Sequence, residues 1–376
     1  MTVPAPAPTG RQPWESWIAD SYADLFARPL ARRSDLYDSD RAVLCHGLGS
    51  DPTFVYVNRT AQQLWERPWR SFIGMPSRLT APPAHRAERS AALNGGKVAT
   101  DYTGERVSAT GRRFRILGAT IFPVRDGAGE VVGQAATFVH WEPIRRRPLL
   151  EVLATSVDEV GVALSGGADR IELCADYASG GLTPSTDLVH TVAGPAREQG
   201  VGVMAMIRPR PGDFVYSRHE LDTMRRSVAD VLAAGASGVV LGCLTAGGQL
   251  DVVATGALVE AAAGAPVTVH RAVDDSADPL AAALAAFATG ADRVLTSGGA
   301  ATALLGSDVV RRMVAETPMA ATVVAGSGVT PDNVAALVAR TGVTEVHGSL
   351  RTAAGPPDPA AVQAMVAALA AIGQSG

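Results

Sequence analysis

The sequence predicts an α/β chain in two parts: a (β/α)8 TIM-type barrel over residues 149–376, preceded by a smaller α+β domain over 13–141. Three observations lead there. After Leu149, short apolar β-branched runs alternate strictly with Ala-rich amphipathic stretches, which implies a parallel sheet, and eight such units in about 225 residues is barrel size. Gly167-Ala-Asp-Arg-Ile171 returns as Gly290-Ala-Asp-Arg-Val294, 123 residues and four units later, as a duplicated half-barrel would give. All five tryptophans (Trp14, Trp17, Trp65, Trp69, Trp141) precede the change in composition, so the two parts have separate cores.

Residues 1–12, rich in Pro and Ala, read as a flexible tail. Trp14–Leu30 has helical periodicity, Phe54–Asn58 reads as a strand and Arg59–Trp65 as a helix. Strands follow at Gly104–Ser108, Arg112–Ala119, Ile121–Arg125 and Val131–His140, separated by hairpin signals. Residues 142–148, with Pro143, Pro148 and the run Arg145–Arg147, read as a solvated linker. The barrel strands are expected at Leu149–Ala154, Asp169–Cys174, Gly202–Arg208, Gly238–Cys243, Pro266–Arg271, Asp292–Ser297, Ala321–Gly326 and Thr344–Ser349.

Composition narrows the function. With net charge −4, nucleic acid is not the expected partner. Apolar stretches such as Val231–Ala246 are short or broken by Gly, Ser and Thr, so no membrane span is expected. Three cysteines without a C-x-x-C pair, and no signal pattern at the N-terminus, fit the reducing cytoplasm. The sole lysine is Lys97, so a barrel Schiff base or pyridoxal aldimine is excluded.

Residues two apart share a face of a strand. That turns Glu172 and Cys174 inward, pairs His270 with Thr268, and puts Glu345, His347 and Ser349 together. For Glu345 and Glu151, deeper in their strands, an internal ion-pair network competes with a site role. Ile207-Arg-Pro-Arg210 brings Arg208 and Arg210 to the mouth, with Asp213 in the same long loop. Gly326, Ser327 and Gly328 follow strand seven and suit an anion, and Thr296-Ser-Gly-Gly299, with Ser297, could join them. Acid–base chemistry by Glu172 and His270, with Arg208 and Arg210 stabilising an anion and His347 nearby, is one reading of the mouth.

Leu150-Glu-Val152, Gly167-Ala-Asp-Arg-Ile-Glu-Leu-Cys174, Gly180-Gly-Leu-Thr-Pro-Ser185, Gly212-Asp-Phe-Val-Tyr-Ser217, His270-Arg-Ala272 and Glu345-Val-His347 resemble the CutC copper-homeostasis family. The resemblance implies a TIM-type barrel, a cytoplasmic location and binding of copper ion, with Cys174 matching the family's cysteine. Where the family often has a second cysteine, this chain has Leu153, and Cys243 is the only other barrel cysteine. Cu(I) is soft and prefers Cys or Met sulfur, while His270 and His347 offer nitrogen. Ser21-Tyr22, Arg28-Pro-Leu30, Phe54–Asn58, Asp101-Tyr-Thr-Gly104 and Gly111-Arg-Arg-Phe-Arg115 resemble the MEKHLA domain, a relative of the PAS fold. That implies ligand binding or dimerisation, with Tyr56, Asn58 and Trp65 as pocket or core residues and Cys45 and His46 in a core or loop. Three readings stay open: copper handling, a barrel enzyme on a small anionic or phosphorylated metabolite, and a sensor. Homo-oligomerisation, common among such barrels, stays open too.

Overall fold

The computed structural model describes residues 11–31, 35–82, 85, 98–144, 147–318, 321–351 and 355–374. Most of the tail (1–10), Lys97 and two arginines of the linker run (Arg145, Arg146) lie outside these. The chain divides into two units, Met1–Ser108 with Arg113–Ile144, and Ala109–Arg112 with Arg145–Gly376.

In the first unit an antiparallel sheet runs in the order β2-β1-β5-β4-β3, with β6 also paired to β4. Its strands are β1 Ala42–Gly47, β2 Phe54–Val57, β3 Ala99–Val107, β4 Arg113–Arg125, β5 Val131–Phe138 and β6 His140–Pro143. Two differences from the sequence reading stand out. Ala42–Gly47, not anticipated, is a buried central strand carrying Cys45. Arg112–Ala119 and Ile121–Arg125 are one 13-residue strand, bonded to β3 on one side and β5 and β6 on the other. The helix Trp14–Phe26 ends with Ala27 in the left-handed region, four residues short of Leu30. Asn58 is structural: its oxygen accepts the Val43 and Ala61 N–H groups and its amide donates to three main-chain oxygens.

The second unit is a closed barrel of eight parallel strands. They are β7 Leu149–Ala154, β8 Arg170–Leu173, β9 Gly202–Met206, β10 Gly238–Leu241, β11 Val267–Val269, β12 Arg293–Thr296, β13 Thr322–Ala325 and β14 Glu345–Gly348, and β14 pairs back to β7. Period-2 alternation decides what each face buries. Leu150, Val152, Ile171, Leu173, Val203, Val239, Leu241, Val267, Val269, Val294 and Val346 join the helices in one large apolar core. Each such side chain stabilises the fold by roughly 1.5–3 kcal/mol on burial. The intervening residues fill the lumen.

Five helices begin on a Ser or Asp whose side chain accepts an N–H of the first turn: Ser156, Ser185, Ser217, Asp251 and Asp278. These caps fix where five of the loops at the C-terminal mouth re-enter regular structure. Among the described residues, no helix is long and apolar enough to cross a membrane.

Candidate active site at the barrel mouth

The lumen is built in two levels. At the lower level Arg170, 1% exposed, donates to Glu151 through Nε and to Glu345 through Nη2, and Arg293 lies 3.3 Å from Glu345. Two carboxylates and two guanidiniums thus neutralise one another. The echoed motif has a physical meaning here: both its arginines converge on Glu345, and both its aspartates, Asp169 and Asp292, accept the N–H that opens the preceding strand. Ala109–Arg112 belongs to this unit, and Thr110 Oγ1 accepts from Arg293 at 2.9 Å. Arg147 of the expected linker is likewise held by Asp169, at 2.6 Å.

Above that level lies a mouth cavity of about 760 Å³, within the range of small-molecule sites. Glu172, Arg208, His270, Arg271, Ser327, Gly328, His347, Ser349 and Arg351 all line it. His347 Nδ1 sits 2.8 Å from Glu151 and 3.3 Å from Glu172. Burial pushes the Glu172 carboxyl up to about 7, with the Glu151 charge adding to the rise and His347 and Arg170 opposing it. Burial disfavours the His347 cation, yet the two carboxylates win and its pKa rises. Glu151 is also desolvated, but Arg170 and His347 hold it well below the usual carboxylate range. A carboxyl raised to about 7 and an imidazole whose cation its neighbours favour thus stand 3.3 Å apart, over a Glu151 that stays ionised. Among the described residues Glu172 Oε2 has no hydrogen-bond partner.

The trio Glu151, Glu172 and His347 is also the one tight group of metal-ligand types among the described residues. The Arg170 cation already offsets the charge of one of them, Glu151.

Arg208 is 7% exposed and donates to the main-chain oxygens of Ser179, Gly181 and Gly212, with its guanidinium 4.9 Å from the Phe214 ring centre. Among the described residues no carboxylate pairs with it. It is a buried cation held by carbonyl dipoles and the Phe214 ring, which attracts an anion to the cavity.

The His270 and Phe214 rings meet at a tilt of 50°, their centres 4.8 Å apart. The ring fits because residue 242 is glycine: a Cβ there would lie 2.9 Å from His270 Nδ1. Gly326 likewise makes room rather than binding, since its Cβ would lie 2.6 Å from Leu295 and 3.3 Å from His347.

Other expected site residues lie elsewhere. Arg210 does not line the cavity; it is tied to Glu220, Asp213 and the Val215 oxygen, so Arg210 and Asp213 brace their own loop. Ser297 is fully buried, and its loop already surrounds an anion, the Asp274 carboxylate. Thr296 Oγ1, the Ser297 N–H and hydroxyl, and the Gly299 N–H all donate to Asp274. The donor pattern that suggested phosphate was real, but a side chain of this protein occupies it. Asp274→Ala is expected to lower stability by about 2–3 kcal/mol, because it strands several buried donors. Thermal unfolding checks the size, and faster amide exchange at Ser297 and Gly299 checks the place.

Cys174 does turn inward, but it is sealed in an apolar cluster with Leu153, Met204, Met206 and Val240, and burial pushes its thiol up. Cys243 faces the opposite way, into the outer core, with its thiol pushed up to about 12 by burial and by Asp251. It cannot share a site with Cys174. In the first unit a small cavity of about 40 Å³ is bordered by His46, Trp65, Arg106 and Gln134. Tyr56, fully buried, bonds Glu15 at 3.1 Å and belongs to the core.

The fold and site define a class: a TIM-type barrel with a charged, open mouth, preceded by a PAS-like domain. The CutC family model matches residues 148–352, and the MEKHLA domain model matches residues 12–143. A CutC family protein of Rhizobium meliloti (strain 1021) is 44% identical over 204 residues, 54% of this chain and 82% of that one. One from Vibrio vulnificus (strain CMCP6) is 45% identical over 200 residues, 53% and 79% of the two chains. The solved structure of a protein named for copper homeostasis, CutC from Streptococcus agalactiae, is 29% identical. It aligns with a TM-score of 0.51 over 54% of this chain and 98% of its own. The chain belongs to the CutC family and carries a MEKHLA domain ahead of its barrel.

Proposed function

We propose that the barrel mouth is an acid–base active site for a small anionic ligand. One observation carries this: the Glu172–His347 pair opens onto the same cavity as Arg208, a buried guanidinium without a carboxylate partner among the described residues. A carboxyl raised to about 7 can give and take a proton at neutral pH without a large driving-force penalty. Ser327 and Gly328 border the cavity after strand seven, where barrels of this architecture commonly hold phosphate. Calorimetry with 2-phosphoglycolate and inorganic phosphate on the full chain tests the reading. Arg208→Met, shown to be folded by circular dichroism, should weaken binding by about ten-fold or more. Unchanged affinity in that variant would take Arg208 out of the site.

Copper ion is the second reading, in keeping with the copper-homeostasis name of the solved relative, and Met204 and Met206 beside Cys174 favour it. Thioether and thiolate sulfur suit soft Cu(I), and the methionines supply sulfur where Leu153 cannot. Copper would be cargo in the cytoplasm, held below the mouth. An anaerobic Cu(I) titration against a calibrated chelator then gives one equivalent that Cys174→Ser removes and Cys243→Ser leaves intact. Binding indifferent to Cys174 ends this reading.

A further inference from the structure

His270 closes β11 and caps the 3₁₀ turn Arg271–Asp275. Its Nδ1 accepts the Ala272 N–H at 3.2 Å. A ring nitrogen that accepts carries no proton, so the neutral imidazole has its hydrogen on Nε2. Nε2 is buried, without a hydrogen-bond partner among the described residues, on a ring that lines the cavity. The Phe214 ring on one side and the Gly242 backbone beside it restrict reorientation. Burial and the Arg208 charge both oppose protonation and hold the ring down at about 3, so it stays neutral. It is a fixed, uncharged, unspent donor. Glu172 lies on strand two and His270 after strand five, so two strands stand between them and both open into one cavity.

We propose that the mouth takes small anionic aldehydes or ketones and moves a proton at the carbon next to their carbonyl, with the His270 Nε2–H on the carbonyl oxygen and Glu172 as the base. The inference rests on the acid–base reading above and adds the substrate class and the role of His270. The Glu172 carboxylate takes the carbon-bound proton. The C–H electron pair becomes a C=C bond to the carbonyl carbon, and the C=O π pair moves onto oxygen, where His270 donates to the enolate. Return of the proton to carbon reverses these shifts, so the cycle needs no oxidant, reductant or imine. That suits a barrel without lysine, the sole one being Lys97 of the first domain.

The test compares two probes on the full chain by calorimetry: 2-phosphoglycolohydroxamate, a planar enediolate mimic, and 2-phosphoglycolate, which shares the anionic tail. The mimic should bind about ten-fold or more tighter, and His270→Leu should erase that preference while retaining phosphoglycolate binding. Equal binding of the two probes, or a preference that survives in His270→Leu, overturns the inference and leaves the anion site standing. Failure of both probes to bind sinks the acid–base reading itself. Should His270→Leu not fold, ¹⁵N-histidine NMR of the unsubstituted protein decides. The proton should stay on Nε2 between about pH 5 and 8 and shift downfield when the mimic binds. A His270 ring that titrates in that window, or carries its proton on Nδ1, overturns the proposal.

Discussion

Arg170→Met is expected to destabilise the barrel by about 3–5 kcal/mol, the usual result of removing one partner from a buried ion pair. Arg170 is 1% exposed, between Glu151 and Glu345, both buried. Without the guanidinium, Glu345 keeps only Arg293 at 3.3 Å, and Glu151 keeps only His347. A methionine of similar length cannot solvate either charge. Pairing the change with Glu345→Leu should recover part of the loss, because an apolar pair of similar volume removes the charges together. Urea unfolding followed by far-ultraviolet circular dichroism reads the barrel helices. Tryptophan fluorescence reads the first domain, since all five tryptophans precede the barrel. A loss under about 1 kcal/mol, the value of an exposed pair, would mean that water reaches this level of the lumen.

The second large effect is on pH dependence. Buried against Glu151, His347 and Arg170, the Glu172 carboxyl moves from its ordinary 4.5 to about 7 in the folded chain. Between those values the folded state keeps a proton that the unfolded state has released. Stability therefore falls as pH rises through that window, by about 3 kcal/mol at one unit per 1.36 kcal/mol. His347 adds to the same slope, because its raised pKa gives stability that is lost as pH climbs through the folded value. Glu151 acts in the opposite sense but farther to the acid side: its contribution is present above the ordinary carboxylate range and lost on acidification. Glu172→Gln removes the proton-binding group, so the variant should gain on the parent chain from about pH 5 to about pH 7 and level off above. Urea midpoints at several pH values measure that gain. A flat difference would show that Glu172 ionises like a surface carboxylate.

The fold was legible because barrel strands obey a simple rule. Outward positions such as Ile171, Leu173, Val239 and Leu241 meet helices and must be apolar, and the rule repeats eight times. Inward polar residues stood out against it, which is how Glu172, His270 and His347 were found. The alternation leaves the facing of Cys243 open beyond Leu241-Gly242, and only the structure puts it on the helix side. Ala42–Gly47 is not legible in the sequence, because its first four residues, Ala42 to Cys45, are all buried and show no polar alternation.

Composition and period thus determined the layers of this protein: eight strands, their outward faces, a charged lumen and a separate tryptophan-bearing domain. Tertiary structure alone decided which charged groups spend themselves on the protein and which remain for a ligand. Arg210 and Asp213 answer to their own loop, and the Ser297 turn answers to Asp274, a residue in another loop. Glu172, His347, Arg208 and His270 come from four strands and meet only when the barrel closes. A sequence records which donors and acceptors exist. Their pairing depends on distances of about 3 Å across the fold, which no local pattern encodes.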